Sequence, residues 1–150
     1  MQDTKTTTVG LIGLGAMGAG MAGSLRRAGY ALRVCDVRHE AAVAFAKDGG
    51  TACATPAELA QDCDVVISVV VNAAQTETVL FGEQGAAAAM KTGALFVMCS
   101  TVDPSWSVQL EQKLNAMGLL YLDAPISGGA AKAASGQMTM MTAGSDVAYA

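Results

Sequence analysis

Histidine is nearly missing from this chain: His39 is the only one in 150 residues. A histidine-built metal centre is therefore not expected, and no residue is assigned to a metal. Charge is scarce too, with 15% of residues Asp, Glu, Lys or Arg and a net charge of −4. With no basic excess there is no electrostatic case for nucleic acid or an anionic membrane as a partner. No apolar run approaches the roughly 20 residues that span a bilayer. The start, MQDTKTTT, has one lysine and lacks the apolar core of a secretory signal. Cys35, Cys53, Cys63 and Cys99 form no C-x-x-C pair. Cys35 and Cys99 end apolar runs, where cysteine acts as a small buried hydrophobe. A reduced, cytoplasmic protein is the expectation. Internal repeats and low-complexity linkers are also lacking.

What the chain has is apolar bulk and punctuation. Hydrophobic residues make up 52% of the sequence, which suits a sheet covered on both faces. The length fits one domain with a real core. Residues 1–8 read as a flexible leader and residues 9–150 as the domain. The organising stretch is residues 9–36. An apolar run, 9–12, leads into Gly13-x-Gly15-x-x-Gly18, a helical pattern follows, and a second apolar run, 32–35, ends in Asp36. Strand, glycine turn, helix, strand and carboxylate in this order form the dinucleotide-binding fingerprint. Gly13 permits the tight turn, Gly15 lets the backbone approach a pyrophosphate, and Gly18 lets the helix pack closely on the sheet. The helix N-terminus then offers unpaired N–H groups to the phosphates. Asp36 stands eighteen positions past Gly18, where its carboxylate can accept from a ribose diol.

The rest of the chain alternates in the same manner. Helices are expected over residues 16–28, 39–47, from Thr55 on, 75–81 and 104–117, with a further helical turn or two in 85–90. Met17, Met21, Leu25 and Ala28 stripe the first helix for core packing. Thr55-Pro56-Ala57-Glu58 reads as a capping box with proline at the first helical position. Strands are expected at 51–54, 65–71, 95–99, 119–122 and 138–142, with 123–129 as an exit loop and a short alanine-rich helix ending at Ser135-Gly136. Such alternation specifies an α/β fold, a doubly wound, mostly parallel sheet of Rossmann type. Ligands of these folds lie at the carboxyl ends of the strands, near the switch in strand order. The glycine turn, Asp36, Asn72, Ser100-Thr101 and Ser127-Gly128-Gly129 fall at those ends.

A carboxylate at Asp36 favours NAD, because it repels the 2′-phosphate of NADP; Arg38 pulls the other way, and NADP is the less expected cofactor. Asn72 reads equally as a turn former or a cofactor contact. The Ser100 and Thr101 hydroxyls could reach the nicotinamide ribose or amide, or merely precede the Asp103 cap. Ser127-Gly128-Gly129 has the composition of an anion nest at a helix start. Lys132 follows it, on a segment where lysines are usually solvated.

Gly13-Leu14-Gly15-Ala16-Met17-Gly18, with Met21-Ala22 after it, resembles the glycine motif of the β-hydroxyacid dehydrogenase family, whose N-terminal domain is shared with 6-phosphogluconate dehydrogenase. Residues 123–129, Asp-Ala-Pro-Ile-Ser-Gly-Gly, running on to Ala133 and Gly136, resemble its substrate-binding signature. The segments 70–73, 80–83 and 131–134 are similar to the L-threonate dehydrogenase branch. The resemblance implies NAD contacts within residues 10–36, from Gly13, Leu14, Gly15, Ala16, Met17, Gly18 and Asp36, and further contacts from Val70, Val71 and Thr101. It implies that Ser127, Gly128 and Gly129 bind a small hydroxy-carboxylate of 3-hydroxyisobutyrate or L-threonate type. Val71 stands where the family often has proline.

Oxidising a hydroxyl needs hydride transfer and a group to take the hydroxyl proton. In the family that group is a lysine on a helix of a second, helical domain, which also completes a homo-oligomeric parent. No catalytic residue is assigned within this chain; the lysine segment is expected beyond Ala150, and the chain is expected to be the N-terminal portion of a longer enzyme, binding NAD without turnover. The alternatives are a non-catalytic dinucleotide-binding or interaction module and a relative of imine-reductase type.

Overall fold

The structure, a computed structural model, describes residues 7–127, 139–140 and 143–144. Each apolar run becomes a strand and each run of helical spacing a helix, in the order β1 (Thr8–Ile12), α1 (Ala16–Arg27), β2 (Ala31–Cys35), α2 (His39–Ala46), β3 (Thr51–Ala52), α3 (Pro56–Ala60), β4 (Val65–Ser68), α4 (Ala73–Phe81), β5 (Leu95–Met98), α5 (Pro104–Ala116) and β6 (Leu120–Asp123). A 3-10 turn, Ala87–Ala89, precedes β5. Two short pairings follow: β7 (Ile126–Ser127) runs antiparallel to β8 (Thr139–Met140), and β9 (Ala143–Gly144) antiparallel to β6.

The main sheet has the order β3-β2-β1-β4-β5-β6-β9, with β1 to β6 parallel. The chain builds outward from β1 to β3, then returns to the other side of β1 with β4. Parallel neighbours need crossovers, and these are helical. Met21 and Ala22 of α1 and Ala42 of α2 join one core cluster. Leu59 of α3, Leu80 of α4, and Leu110 and Leu114 of α5 join the other. Helices thus cover both faces, as a doubly wound sheet requires.

The register aligns the strand ends. Cys35, Ile12, Ser68, Met98 and Asp123 are successive partners across β2, β1, β4, β5 and β6. The loops that follow therefore leave the sheet along one line, with β2 and β5 three strand spacings, about 14 Å, apart.

Local chemistry sets the helix starts. Thr55 Oγ1 accepts from Glu58 N at 3.1 Å, while Glu58 Oε2 accepts from Ala54 N at 2.8 Å. This is the expected capping box, with the glutamate reaching one residue further back. Asp103 Oδ1 accepts from Ser105 N at 2.9 Å ahead of Pro104. Asn72 Oδ1 accepts from Gln75 N at 2.9 Å, so Asn72 is the cap of α4 and the helix starts at Ala73, earlier than expected.

The expected strand over 65–71 ends instead at Ser68. Val69 N still donates to Ile12 O at 2.8 Å, but beyond it the chain bends over the glycine turn. The end of the chain also differs. One strand was expected over 138–142, whereas Thr139–Met140 and Ala143–Gly144 pair with different partners. Ile126–Ser127, expected within a loop, forms a short strand because β8 returns beside it. The alanine-rich helix before Gly136 and most of the leader lie outside the described residues. Among the described residues, no helix is long and apolar enough to cross a membrane and no cluster of His, Cys, Asp or Glu could hold a metal.

At the opposite edge Asp64 ties three segments together. Its Oδ2 accepts from Thr8 N at 2.9 Å and its Oδ1 from Lys91 Nζ at 2.9 Å. The Thr8 amide bond and the Lys91 ammonium together hold its carboxyl below the usual carboxylate range. A depressed folded-state pKa means that this contribution is present above the unfolded value of about 3.9 and is lost as pH falls through the lower folded value. Asp64→Ala is expected to cost about 1 kcal/mol at pH 7, modest because the site is partly exposed. Urea titrations at pH 7 and pH 3 should show the gap between wild type and variant shrinking in acid.

Candidate dinucleotide-binding site

The site is built from the loops that follow Ile12, Cys35, Ser68 and Met98. Gly13 has a φ of +103°, a left-handed conformation that disfavours any side chain. A Cβ there would also lie 2.2 Å from Val69 O. The turn is stitched to β2 twice: Gly13 N donates to Cys35 O at 2.9 Å, and Leu14 N donates to Asp36 Oδ2 at 2.6 Å. Leu14 turns its side chain into the core, where it is 7% exposed.

Gly18 packs against the turn so tightly that a Cβ would sit 1.7 Å from Gly13 O. Gly15 differs in kind. Its φ of −65° suits any residue, and a Cβ would meet nothing within 4 Å. Nothing in the described protein demands glycine at that position; a ligand approaching the exposed Gly15–Ala16 backbone would. Gly10, by contrast, serves packing: a Cβ would lie 2.3 Å from Leu59 Cδ2 and 2.8 Å from Cys63 Sγ, so it lets α3 close on β1.

Gly15 is the N-cap of α1, has no side-chain hydrogen bond to the first turn, and is followed by no acidic residue there. The starts of α3, α4 and α5 are each capped by a side chain, and α2, which lacks such a cap, has Glu40 in its first turn. The first N–H groups of α1, from Ala16 and Met17 onward, are left with the positive end of the helix dipole and no competing carboxylate in the turn. This arrangement suits an anion. Met17 packs its side chain against the core, so only its backbone faces that role.

Asp36 lies at the end of β2 and does more than the sequence indicated. Besides Leu14 N, it accepts from Arg38 N at 2.9 Å on Oδ1, and Arg38 Nε stands 3.9 Å from the same oxygen. Each carboxylate oxygen has a second lone pair, so the ribose role remains open chemically. Val37 and Arg38 are exposed beside it.

Across the switch, Val70 is half-buried, Val71 is 77% exposed, and Thr101 is exposed. Ser100 is different from Thr101: it is 3% exposed and its Oγ donates to Val70 O at 2.7 Å. Of the two candidate hydroxyls only Thr101 faces outward. At β6, Ser107 Oγ donates to Asp123 Oδ2 at 2.9 Å and lies 2.7 Å from Tyr121 Oη, tying α5 to the root of the 123–129 segment. Sequence spacing carried no signal for that contact, which spans different elements. Ser127 ends β7, which pairs with β8 apart from the main sheet; Gly128, Gly129 and Lys132 lie outside the described residues.

The cysteines nearest this edge are inert. Burial pushes the Cys35 thiol up to about 11 and the Cys99 thiol up to about 12, with the nearby Cys53 and Asp36 adding to the first and Asp123 to the second. Both remain protonated at neutral pH and contribute packing, as expected of buried cysteine.

Known proteins resemble this chain in sequence and in fold. The family model described as the NAD-binding domain of 6-phosphogluconate dehydrogenase matches residues 8–150. L-threonate dehydrogenase of Cupriavidus necator is 57% identical over 141 residues, covering 94% of this chain and 48% of that protein. Mouse mitochondrial 3-hydroxyisobutyrate dehydrogenase is 37% identical over 144 residues, covering 96% of this chain and 43% of that one. The crystal structure of a 3-hydroxyisobutyrate dehydrogenase from Salmonella typhimurium superposes with a TM-score of 0.91 at 40% identity, covering 95% of this chain and 50% of that chain. The chain thus spans about half the length of the curated relatives it matches. It belongs to the family of the 6-phosphogluconate dehydrogenase NAD-binding domain, in the form carried by the 3-hydroxyacid dehydrogenases.

Proposed function

We propose that this chain is the cofactor half of an NAD-dependent dehydrogenase acting on a small hydroxy-carboxylate of L-threonate or 3-hydroxyisobutyrate type. The observation that carries it is the uncapped start of α1 beneath Gly15, the one glycine of the turn whose missing Cβ the described protein does not need. The pyrophosphate is assigned to the exposed backbone of Gly15, Ala16 and Met17, with Gly13, Leu14 and Gly18 shaping the turn. The adenosine ribose is assigned to Asp36, whose charge disfavours a 2′-phosphate. The far end of the dinucleotide crosses the β1–β4 switch to Val70, Val71 and Thr101.

Bound there, the cofactor supplies the hydride acceptor for oxidation of the substrate's hydroxyl-bearing carbon. This chain's residues hold and orient it. Ser127, Gly128 and Gly129 are assigned to the substrate carboxylate. The group that takes the hydroxyl proton is assigned to the lysine segment expected in the other half of the relatives' length. The relatives' names, dehydrogenases throughout the strongest matches, favour this reading over a non-catalytic module.

Two glycine variants separate fold from function. Gly15→Ala is expected to leave thermal stability unchanged or slightly raised, because alanine fits its φ, while weakening NAD at least tenfold by calorimetry. Gly18→Ala is expected to destabilise the protein itself by about 2 kcal/mol or more, since backbone must move to admit the methyl.

Asp36→Ala should weaken NAD about tenfold, the order of a charge-assisted hydrogen bond. It should also shrink the preference for NAD over NADP. Titrations of both cofactors into both proteins check this, and equal NAD binding would remove Asp36 from the site.

A further inference from the structure

The loop of residues 69–72, between β4 and α4, is held by a buried pair of hydroxyls that the cofactor assignment does not use. Ser100, 3% exposed just past β5, donates to Val70 O at 2.7 Å. Thr76, fully buried in the first turns of α4, donates to Asn72 O at 3.0 Å. The two side-chain oxygens are 3.3 Å apart. Each hydroxyl has one proton: Ser100 places its own on Val70 O, and Thr76 shares its single proton between Ser100 Oγ and Asn72 O, a carbonyl that also accepts from Thr76 N at 3.0 Å. With the Thr76 proton turned to Ser100, a chain of hydroxyls runs from α4 past β5 to the carbonyl of Val70; turned to Asn72 O, it leaves Thr76 as the packing neighbour of Ser100.

The remaining contacts make the loop a fixed shape. Val69 N donates to Ile12 O at 2.8 Å, and Val71 N donates to Gln75 Oε1 at 2.8 Å. Val69 O presses on Gly13, where no Cβ could be admitted. Of the side-chain ties to the loop, those from Ser100 and Thr76 are part-buried, while the Gln75 bond is exposed. Losing the Ser100 hydroxyl would leave the part-buried Val70 O without its side-chain partner, and the carbonyl would turn to find another.

We propose that Ser100, backed by Thr76, is a positioning residue that sets the Val70 carbonyl and, through it, the loop receiving the nicotinamide end of the cofactor. This rests on the cofactor reading above. The register supports the direction: Asp36 follows the end of β2, so a dinucleotide laid across the switch puts its second half over the ends of β4 and β5, where this loop and Ser100 stand. Ser100 touches no ligand in this scheme. It acts on the shape of the loop, and its influence should be confined to the nicotinamide half.

ADP-ribose, which has the adenosine and pyrophosphate but no nicotinamide, separates that influence from general loosening. Calorimetry with NAD and with ADP-ribose is run on the wild-type chain, Ser100→Ala, Ser100→Thr and Thr76→Val, each checked for a cooperative thermal transition. Ser100→Ala is expected to weaken NAD about five- to tenfold, the loss of roughly one buried hydrogen bond. Its ADP-ribose affinity should change less than about twofold, within the usual effect of a distant substitution. Ser100→Thr, which keeps the hydroxyl, should stay near wild type, and Thr76→Val should show the Ser100→Ala pattern in weaker form. Equal weakening of both ligands by Ser100→Ala, or no weakening of either, overturns the proposal. Should Ser100→Ala not fold, Thr76→Val decides on the same criterion. A wild-type chain that binds neither ligand overturns the cofactor reading and this inference together; one that binds both, with no difference among variants, overturns only this inference.

Discussion

The contact on which the site depends is the 2.6 Å bond from Leu14 N to Asp36 Oδ2. It joins the turn after β1 to the end of β2, beside the Gly13 N to Cys35 O bond at 2.9 Å. A left-handed glycine is a flexible joint, because it loses more freedom on ordering than any other residue. Two bonds to the same neighbouring strand remove that freedom before any ligand arrives. The direction of α1 follows from the turn, and the direction of its free N–H groups follows from α1. A carboxylate usually discussed for the ligand it would hold is here also part of the frame. Preorganisation of this kind matters because any ordering left until binding subtracts from affinity.

The second constraint is register. Parallel pairing places Cys35, Ile12, Ser68, Met98 and Asp123 in one row, so residues far apart in sequence share an edge. The loops on the two sides of the switch at β1 leave toward different crossovers, which is where folds of this kind hold their ligands. Within that edge, backbone groups are already committed to specific partners. Val69 N goes to Ile12, Val70 O to Ser100, Val71 N to Gln75 and Asn72 O to Thr76. Buried or half-buried backbone must be paired somewhere: Val69 N continues the ladder to Ile12, Val70 O and Val71 N go to side chains, and Asn72 O accepts from α4.

Much of this was legible in the sequence because the signals are local. Glycine spacing, the capping residues Thr55 and Asp103, and the apolar runs act over a few residues, where propensity and geometry decide. Asn72 was undecided between turn former and cofactor contact because its position fits both; its bond to Gln75 N assigns the first role. What could not be read depends on partners distant in sequence. Ser100 looked free beside Thr101 until Val70, thirty positions earlier, took its proton. Gly10 sat among residues associated with the cofactor, yet Leu59 and Cys63 claim its space. The strand over 65–71 read as continuous because every residue to Val71 is apolar or small, but its end is set by collision with the glycine turn, not by polarity.

A helix start left uncapped is costly unless something else meets its N–H groups. The chain gives α3, α4 and α5 a threonine, an asparagine and an aspartate for that purpose, and gives α1 a glycine. The nearest carboxylate, Asp36, is directed to Leu14 N in the turn rather than to the first turn of α1. Had Asp36 capped α1 instead, Leu14 N would have lost its partner and an anion would have met a negative charge. Placing the acid one step back, on the turn, keeps the helix start positive while still tying the strands together. The same side chain then lies where the dinucleotide would leave the helix start and cross toward β2. Stability and recognition are compatible at this edge because the carboxylate has more lone pairs than the frame consumes.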